Sequence, residues 1–350
     1  MSEMNPIGPE ERRASRRQFI KTAALAGIAT TFSGSLLLGG QTMETAATNA
    51  PGQIPRRPLG KTGLQVSAMG LGGWHLGSTR SQEETNDIVA RSIDAGVNFF
   101  DNAWEYHNGD SEVRMGVALK GRRGGMIVMT KVCTHGRGKE TAMQMLEDSL
   151  RRLQTDHIDI WQIHEVIYKN DPELIFAPGG VAEALLLAKQ QGKVRFVGFT
   201  GHKDPSIHLR VLDYKFPFDT IQMPLNCFDA NYRSFEGKVL PVANRLGLGV
   251  LGMKSLGGTA EMVTSRAITA EEGLGYAMSL PVATTISGIE SLKVLEQNLK
   301  VARDFQPFPE VKMQILRDRC CKLAQDGHFE KFKSTTLFDG ALGQSQQGKI

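Results

Sequence analysis

Three successive apolar runs each close on a titratable residue. Residues 97–101 end on Asp101, residues 126–131 on Lys131 and residues 158–164 on His164, and Tyr106 follows Asp101 by five positions. A phenol, with a pKa of about 10, is a poor proton donor or acceptor at neutral pH. A neighbouring ammonium favours the phenolate and lowers that pKa. A carboxylate holds the ammonium and limits the cost of burying it. An imidazole supplies a hydrogen bond to a substrate oxygen. Together these groups can move a proton onto or off a carbonyl oxygen. Singly they are ordinary: an Asp or Lys at a strand end is commonly a solvated rim residue, Tyr106 a loop aromatic and His164 a core histidine. Their joint occurrence on three consecutive runs favours the chemical reading.

Such groups need a frame. Short apolar runs fall at 66–70, 97–101, 126–131, 158–164, 194–200, 220–223, 249–253 and 283–286. Amphipathic spacing fills the gaps: Met143, Leu146, Leu150 and Leu153 recur at helical intervals, as do Leu292, Leu295, Leu299 and Ala302. Eight strand–helix units point to an α/β chain folded as a (β/α)8 TIM barrel, with a doubly wound sheet as the alternative. In such a barrel chemistry sits at the C-terminal strand ends. The strand period of two puts Phe99 with Asp101, Met129 with Lys131, and Ile160 with Gln162 and His164. Asp101, Lys131 and His164 can therefore converge on one mouth. Residues 305–350 lie beyond the eighth helix and are expected to pack on the barrel as a C-terminal extension.

The composition agrees. The 350 residues are 41% hydrophobic and 22% charged with a net charge of +4, which excludes a disordered, collagenous or coiled-coil chain and argues against a nucleic-acid binder. Gly247-Leu-Gly-Val-Leu-Gly252 matches a dinucleotide-loop pattern. That loop must leave a strand and open a helix; here a helical pattern precedes and a strand follows, so the glycines read as an αβ turn. Cys133, Cys227, Cys320 and Cys321 are too few for a disulfide scaffold and read as buried or free thiols. The adjacent Cys320-Cys321 lacks the spacing of an iron–sulfur cluster. A metallohydrolase would show His-x-His or clustered carboxylates at strand ends, which the sequence does not, so no metal is expected.

The N-terminus has a separate meaning. Arg16-Arg17 is followed by Gln-Phe-Ile-Lys21 and a weakly apolar stretch over 22–38. This resembles a twin-arginine (Tat) export signal. Residues 1–50 are expected to be signal and linker, with the Tat machinery as partner and a periplasmic or cell-envelope location. The stretch is shorter than the about 20 apolar residues of a membrane span, and no other span is expected. The barrel is assigned to 51–304.

The residues resemble the aldo-keto reductase family over nearly all of 57–304. The resemblance rests on Arg57-Pro-Leu-Gly-Lys-Thr-Gly-Leu-Gln-Val-Ser67, Leu71-Gly-Gly-Trp74, the run 96–103, Ser111-Glu112 with Gly116, and above all the run 150–164. It implies a (β/α)8 barrel and a nicotinamide cofactor, NADP or NAD, lying extended across the mouth. Its catalytic tetrad falls on Asp101, Tyr106, Lys131 and His164. It implies hydride transfer to an aldehyde or ketone, or the reverse oxidation of an alcohol, with Tyr106 as proton donor and Lys131 lowering its pKa. Cofactor contacts carry over to Gly73, Trp74, Thr200, Gln222, Met253, Leu256, Gly257, Gly288, Gln297 and Asn298. Trp74, His75, Trp104 and His107 would shape the substrate pocket. The family's Ser and Arg for the 2′-phosphate of NADP fall on Ile289 and Val294, which leaves Lys293 or Ser291 as substitutes. The alternative function is a catalytically weak nucleotide-binding or regulatory barrel, as the potassium-channel β subunits of this family are.

Overall fold

The computed structural model describes residues 52–133 and 137–346. The expected export signal lies outside them. A short antiparallel hairpin, β1 (Arg56–Pro58) and β2 (Gln65–Ser67), precedes eight parallel strands. These are β3 (Met69–Gly72), β4 (Phe99–Asp101), β5 (Ile127–Val132), β6 (Ile158–Ile163), β7 (Val194–Thr200), β8 (Thr220–Pro224), β9 (Gly249–Met253) and β10 (Thr284–Gly288). They close in sequence order, with β10 returning to β3. The fold is a (β/α)8 barrel. No helix of the described residues is long and apolar enough to cross a membrane.

The first strand corrects the expectation of 66–70. Ser67 Oγ donates to the Met69 carbonyl at 2.7 Å, and Ser67 N–H donates to Asn98 Oδ1 at 2.7 Å. These bonds break the run at Ala68, so its first half joins the hairpin and its second half enters the barrel. The hairpin then plugs the N-terminal end: Leu59 and Val66 pack with Phe99, Ile127, Met129, Ile160 and Leu251 inside the barrel. Gly60 allows that approach, because a Cβ there would lie 2.4 Å from Gly249 N. The last strand runs two residues further than the expected 283–286. Gly247 closes helix Leu240–Leu246 in a left-handed conformation ahead of β9, as an αβ turn requires.

Strand alternation positions the polar ends. Phe99, Met129 and Ile160 fill the interior, whereas Phe100, Val128 and Trp161 pack outward against the helices. Asp101, Lys131, Gln162 and His164 continue the inward rows.

Beyond helix Leu292–Arg303, the tail forms helix Glu310–Ala324 and then runs over the mouth. Buried Lys333 clips it to the barrel by donating to Asp229 Oδ1 at 2.5 Å, with Glu330 beside it at 2.9 Å. Further on, Gly340 N–H donates to Glu165 Oε2 at 2.9 Å. Burial, with the nearby Glu105 charge, pushes the Glu165 carboxyl up to about 8. Between its ordinary value and that one, folded Glu165 keeps a proton that the unfolded chain releases. Its contribution therefore weakens stability as pH rises through that window and is constant above it. Gln keeps the acceptor for Gly340. Glu165→Gln should raise the melting temperature relative to wild type by more at pH 8 than at pH 5; an equal difference at both, by thermal denaturation, would contradict this assignment.

Candidate active site

A cavity of about 960 Å³ opens at the C-terminal end of the barrel. A second hollow of about 420 Å³ lies at the opposite end, but Arg123 and Arg195 there are both bound to Asp159, at 2.6 Å each. The chemistry belongs to the first.

Lys131, at the inner end of β5, is the centre of the site and is 1% exposed. Its ammonium donates to Asp101 Oδ1, to the Asn102 carbonyl at 2.7 Å and to Tyr106 Oη at 3.4 Å. Gln222 Nε2 donates to the other Asp101 oxygen at 3.3 Å. Tyr106 follows β4 in a single turn that carries His107 and Asn108 at positive φ. That turn folds the phenol back over the mouth. Its ring stands edge-on to Trp74 at 5.3 Å and to His164 at 5.6 Å. Asp101, Tyr106, Lys131 and His164 are thus brought together, as expected.

One expectation is corrected. Tyr106 does not carry a lowered pKa. Burial raises it well above the ordinary value, and the Asp101 and Glu105 charges add to that. The Lys131 ammonium is closer to Asp101 and Asn102 than to the phenol, so its charge is largely answered before it reaches Tyr106. The phenol keeps its proton.

Sequence reasoning missed two more groups. Glu105 Oε1 lies 2.8 Å from His164 Nδ1, and Cys133 Sγ lies 3.2 Å from the same nitrogen. Burial pushes Glu105 up, but the His164 hydrogen bond and charge outweigh it and hold the carboxyl below its usual range. Burial lowers the His164 pKa, against the opposing pull of Glu105. Glu105, Cys133 and His164 offer three ligand-type atoms within 4.8 Å of one another. This group is neither a His-x-His pair nor a cluster of carboxylates, and its members come from the segments that follow β4, β5 and β6. In the structure these atoms bond to each other. His164 is held from behind by buried Arg137, which donates to the His164 carbonyl at 2.8 Å and to Asp171 at 3.0 Å.

The other expected residues divide. Trp74, His75, Trp104, Thr200, Met253, Leu256, Gly257, Gly288, Gln297 and Asn298 line the cavity. Gly73 lies buried behind it, where a Cβ would meet the Asp101 carbonyl at 2.6 Å. Gln222 lies beneath, behind Asp101. His107 does not line the cavity; its Nε2 bonds the Trp74 carbonyl at 2.7 Å, and its ring packs on Trp74, which is 51% exposed. Trp104 turns its Nε1 to Asp148 at 3.3 Å. Ser291 is committed to capping its helix through Val294 N–H. The wall also includes tail residues 337–342 and the exposed Glu290, which the sequence reading did not include.

These residues fit an extended nicotinamide cofactor. Thr200 Oγ1 and Gln222 Oε1 are buried without a hydrogen-bond partner among the described residues. Thr200 lines the cavity, where a carboxamide would answer its hydroxyl, whereas Gln222 lies one layer beneath, beside Asp101.

The comparisons agree with this frame. The model of the aldo/keto reductase family matches residues 68–271. The chain is 34% identical over 215 residues to L-galactose dehydrogenase of Arabidopsis thaliana, a match covering 58% of this chain and 66% of that one. It is 30% identical over 200 residues to aldo-keto reductase YhdN of Bacillus subtilis, covering 53% of this chain and 57% of that one. The matches thus span less than two thirds of these relatives' lengths. Aldo-keto reductase AKR11C1 of Bacillus halodurans, in its holo form, superposes with a TM-score of 0.64 at 24% identity, covering 76% of this chain and 96% of that one, and shares the fold. By its barrel, its mouth and these matches, the chain belongs to the aldo/keto reductase family.

Proposed function

We propose that the protein is a nicotinamide-dependent oxidoreductase that reduces a small aldehyde or ketone to an alcohol, or runs the reverse. The observation that carries this reading is the Lys131 ammonium, shared between Asp101 and Tyr106 under a cavity with room for an extended cofactor. A bound nicotinamide would supply the hydride. Tyr106 donates its proton to the carbonyl oxygen as that oxygen gains charge, and burial keeps the phenol loaded for this at neutral pH. Lys131 stabilises the phenolate that remains. Asp101 pairs with the buried Lys131 ammonium and limits the cost of its burial. His164 gives its Nδ1 proton to the Glu105 carboxylate, so in the neutral ring Nε2 is an acceptor, able to receive the hydroxyl of the alcohol.

Thr200 would hold the carboxamide, with Gln222 beneath it steadying Asp101, and Met253 would pack on the ring. Leu256 and Gly257 would flank the phosphates, with Gly288, Gln297 and Asn298 toward the adenosine. Lys254, next to Met253, is the one Lys or Arg of the wall among the described residues, and the charged residue of the wall nearest Gly288 in the chain is Glu290. A 2′-phosphate would meet a carboxylate rather than a cation, which favours NAD over NADP. Trp74, His75 and Trp104 would contact the substrate, with His107 supporting Trp74.

We also propose export through the Tat route, on the Arg16-Arg17 pattern and its apolar stretch. Replacing both arginines by Lys should leave the protein in the cytoplasm on cell fractionation; unchanged export would contradict this.

Two measurements address the site. Tyr106→Phe should slow carbonyl reduction by roughly a hundredfold or more while leaving cofactor affinity within about threefold; retained turnover would remove Tyr106 from its role. NADH should bind at least about tenfold more tightly than NADPH in a tryptophan-fluorescence titration, and Glu290→Arg should narrow or reverse the ratio. Equal binding of the two by wild type would refute the Glu290 assignment.

A further inference from the structure

Cys227 and Cys320 lie 93 positions apart in the chain, yet their sulfurs sit 3.5 Å from each other. Cys227 is in the loop after β8, and Cys320 is on helix Glu310–Ala324 of the tail. Both are fully buried. An S–S bond is about 2.05 Å, so the sulfurs need approach by only about 1.5 Å, within reach of side-chain rotation.

The helix is fixed against the barrel in the turn just ahead of Cys320. Arg317 bonds Glu236 at 2.9 Å and Tyr276 Oη at 2.8 Å, and Arg319 bonds Glu272 at 2.7 Å. Asn231 Nδ2 donates to the Arg317 carbonyl at 3.0 Å. These bonds set the spacing of the two cysteines independently of the thiols. The other cysteines are placed differently: Cys133 faces His164, and Cys321 is partly exposed. The S–H···S contact also divides the pair. It holds Cys320 below the usual thiol value, with Arg319 adding to that, and pushes Cys227 up. Cys320 is therefore the better nucleophile.

We infer that Cys227 and Cys320 form a disulfide that staples the C-terminal tail to the barrel when the chain meets a disulfide donor. The Cys320 thiolate attacks one sulfur of the donor and expels a donor thiolate. The Cys227 thiolate then attacks Cys320 in the mixed disulfide and expels the second donor thiol. The two cysteines are oxidised, the donor disulfide is reduced, and the two protons end on its thiols. Both sulfurs are covered in the closed fold, so the exchange occurs before the helix docks or while it is transiently undocked. The bond closes a long loop and so restrains the unfolded chain. It also secures the segment that supplies residues 337–342 to the cavity wall. None of this depends on the proposed reductase activity.

The test uses the full chain with glutathione disulfide as donor, refolded in a glutathione redox buffer and also exposed to it in the folded state. After alkylation in denaturant, two of the four thiols should be lost, with a mass decrease of two hydrogens and no glutathione adduct. Peptide mapping should link Cys227 to Cys320, and the melting temperature should exceed that of the reduced protein by roughly 5 °C or more. Cys227→Ser should lose both the link and the rise. Four free thiols after refolding, a link through Cys321, or a stable glutathione adduct on Cys320 would overturn the inference.

Discussion

A buried ammonium has to be answered by charge, and the mouth of this barrel is arranged around that requirement. Lys131 is nearly inaccessible, and its ion pair with Asp101 is the interaction the site depends on. Removing either partner would leave an isolated buried charge, at a cost of about 3–5 kcal/mol. Gln222 restrains the far oxygen of Asp101, and the Asn102 carbonyl takes another proton of the ammonium. Only what remains is directed at Tyr106. The phenol therefore sits beside a cation without being ionised by it, a state suited to an acid that must be loaded before the reaction and stabilised after it.

The negative charge around the mouth is the counterpart. Glu105 lies against His164, and Glu165 lies next to it in the chain. Glu165 also receives the Gly340 N–H, so tail closure and the protonation of the mouth are linked. Lys254, left-handed at φ 56 just after β9, stands over Phe332 and Phe338 of the tail at 5.3 and 4.9 Å. Burial lowers its pKa to about 8, with Glu165 opposing. The tail thus contributes apolar cover and backbone donors to the mouth as well as packing on the barrel.

Much of this was legible in the sequence, for a physical reason. Alternation at period two forces Asp101, Lys131 and His164 inward once Phe99, Met129 and Ile160 are assigned to the interior. The βα succession then makes the strands neighbours. What could not be read depends on meetings between distant parts. Glu105 and Cys133 converge on one nitrogen of His164 from different loops. Residues 337–342 reach the cavity from the far end of the chain. The first strand was misplaced because the apolar run 66–70 is continuous in sequence and is broken by hydrogen bonds of Ser67 and Asn98. The Tyr106 shift runs opposite to the expectation because the burial that raises it, with the Asp101 and Glu105 charges adding, depends on packing that residue types alone do not reveal.

The most direct test is a single-turnover measurement of hydride transfer, following oxidation of bound NADH with a panel of small aldehydes and ketones. The wild type should consume NADH and yield an equivalent of alcohol, whereas Lys131→Met, still folded and still binding NADH, should react roughly a hundredfold more slowly or not at all. Equal rates in the two proteins, or no turnover by a wild type that binds NADH, would contradict the account.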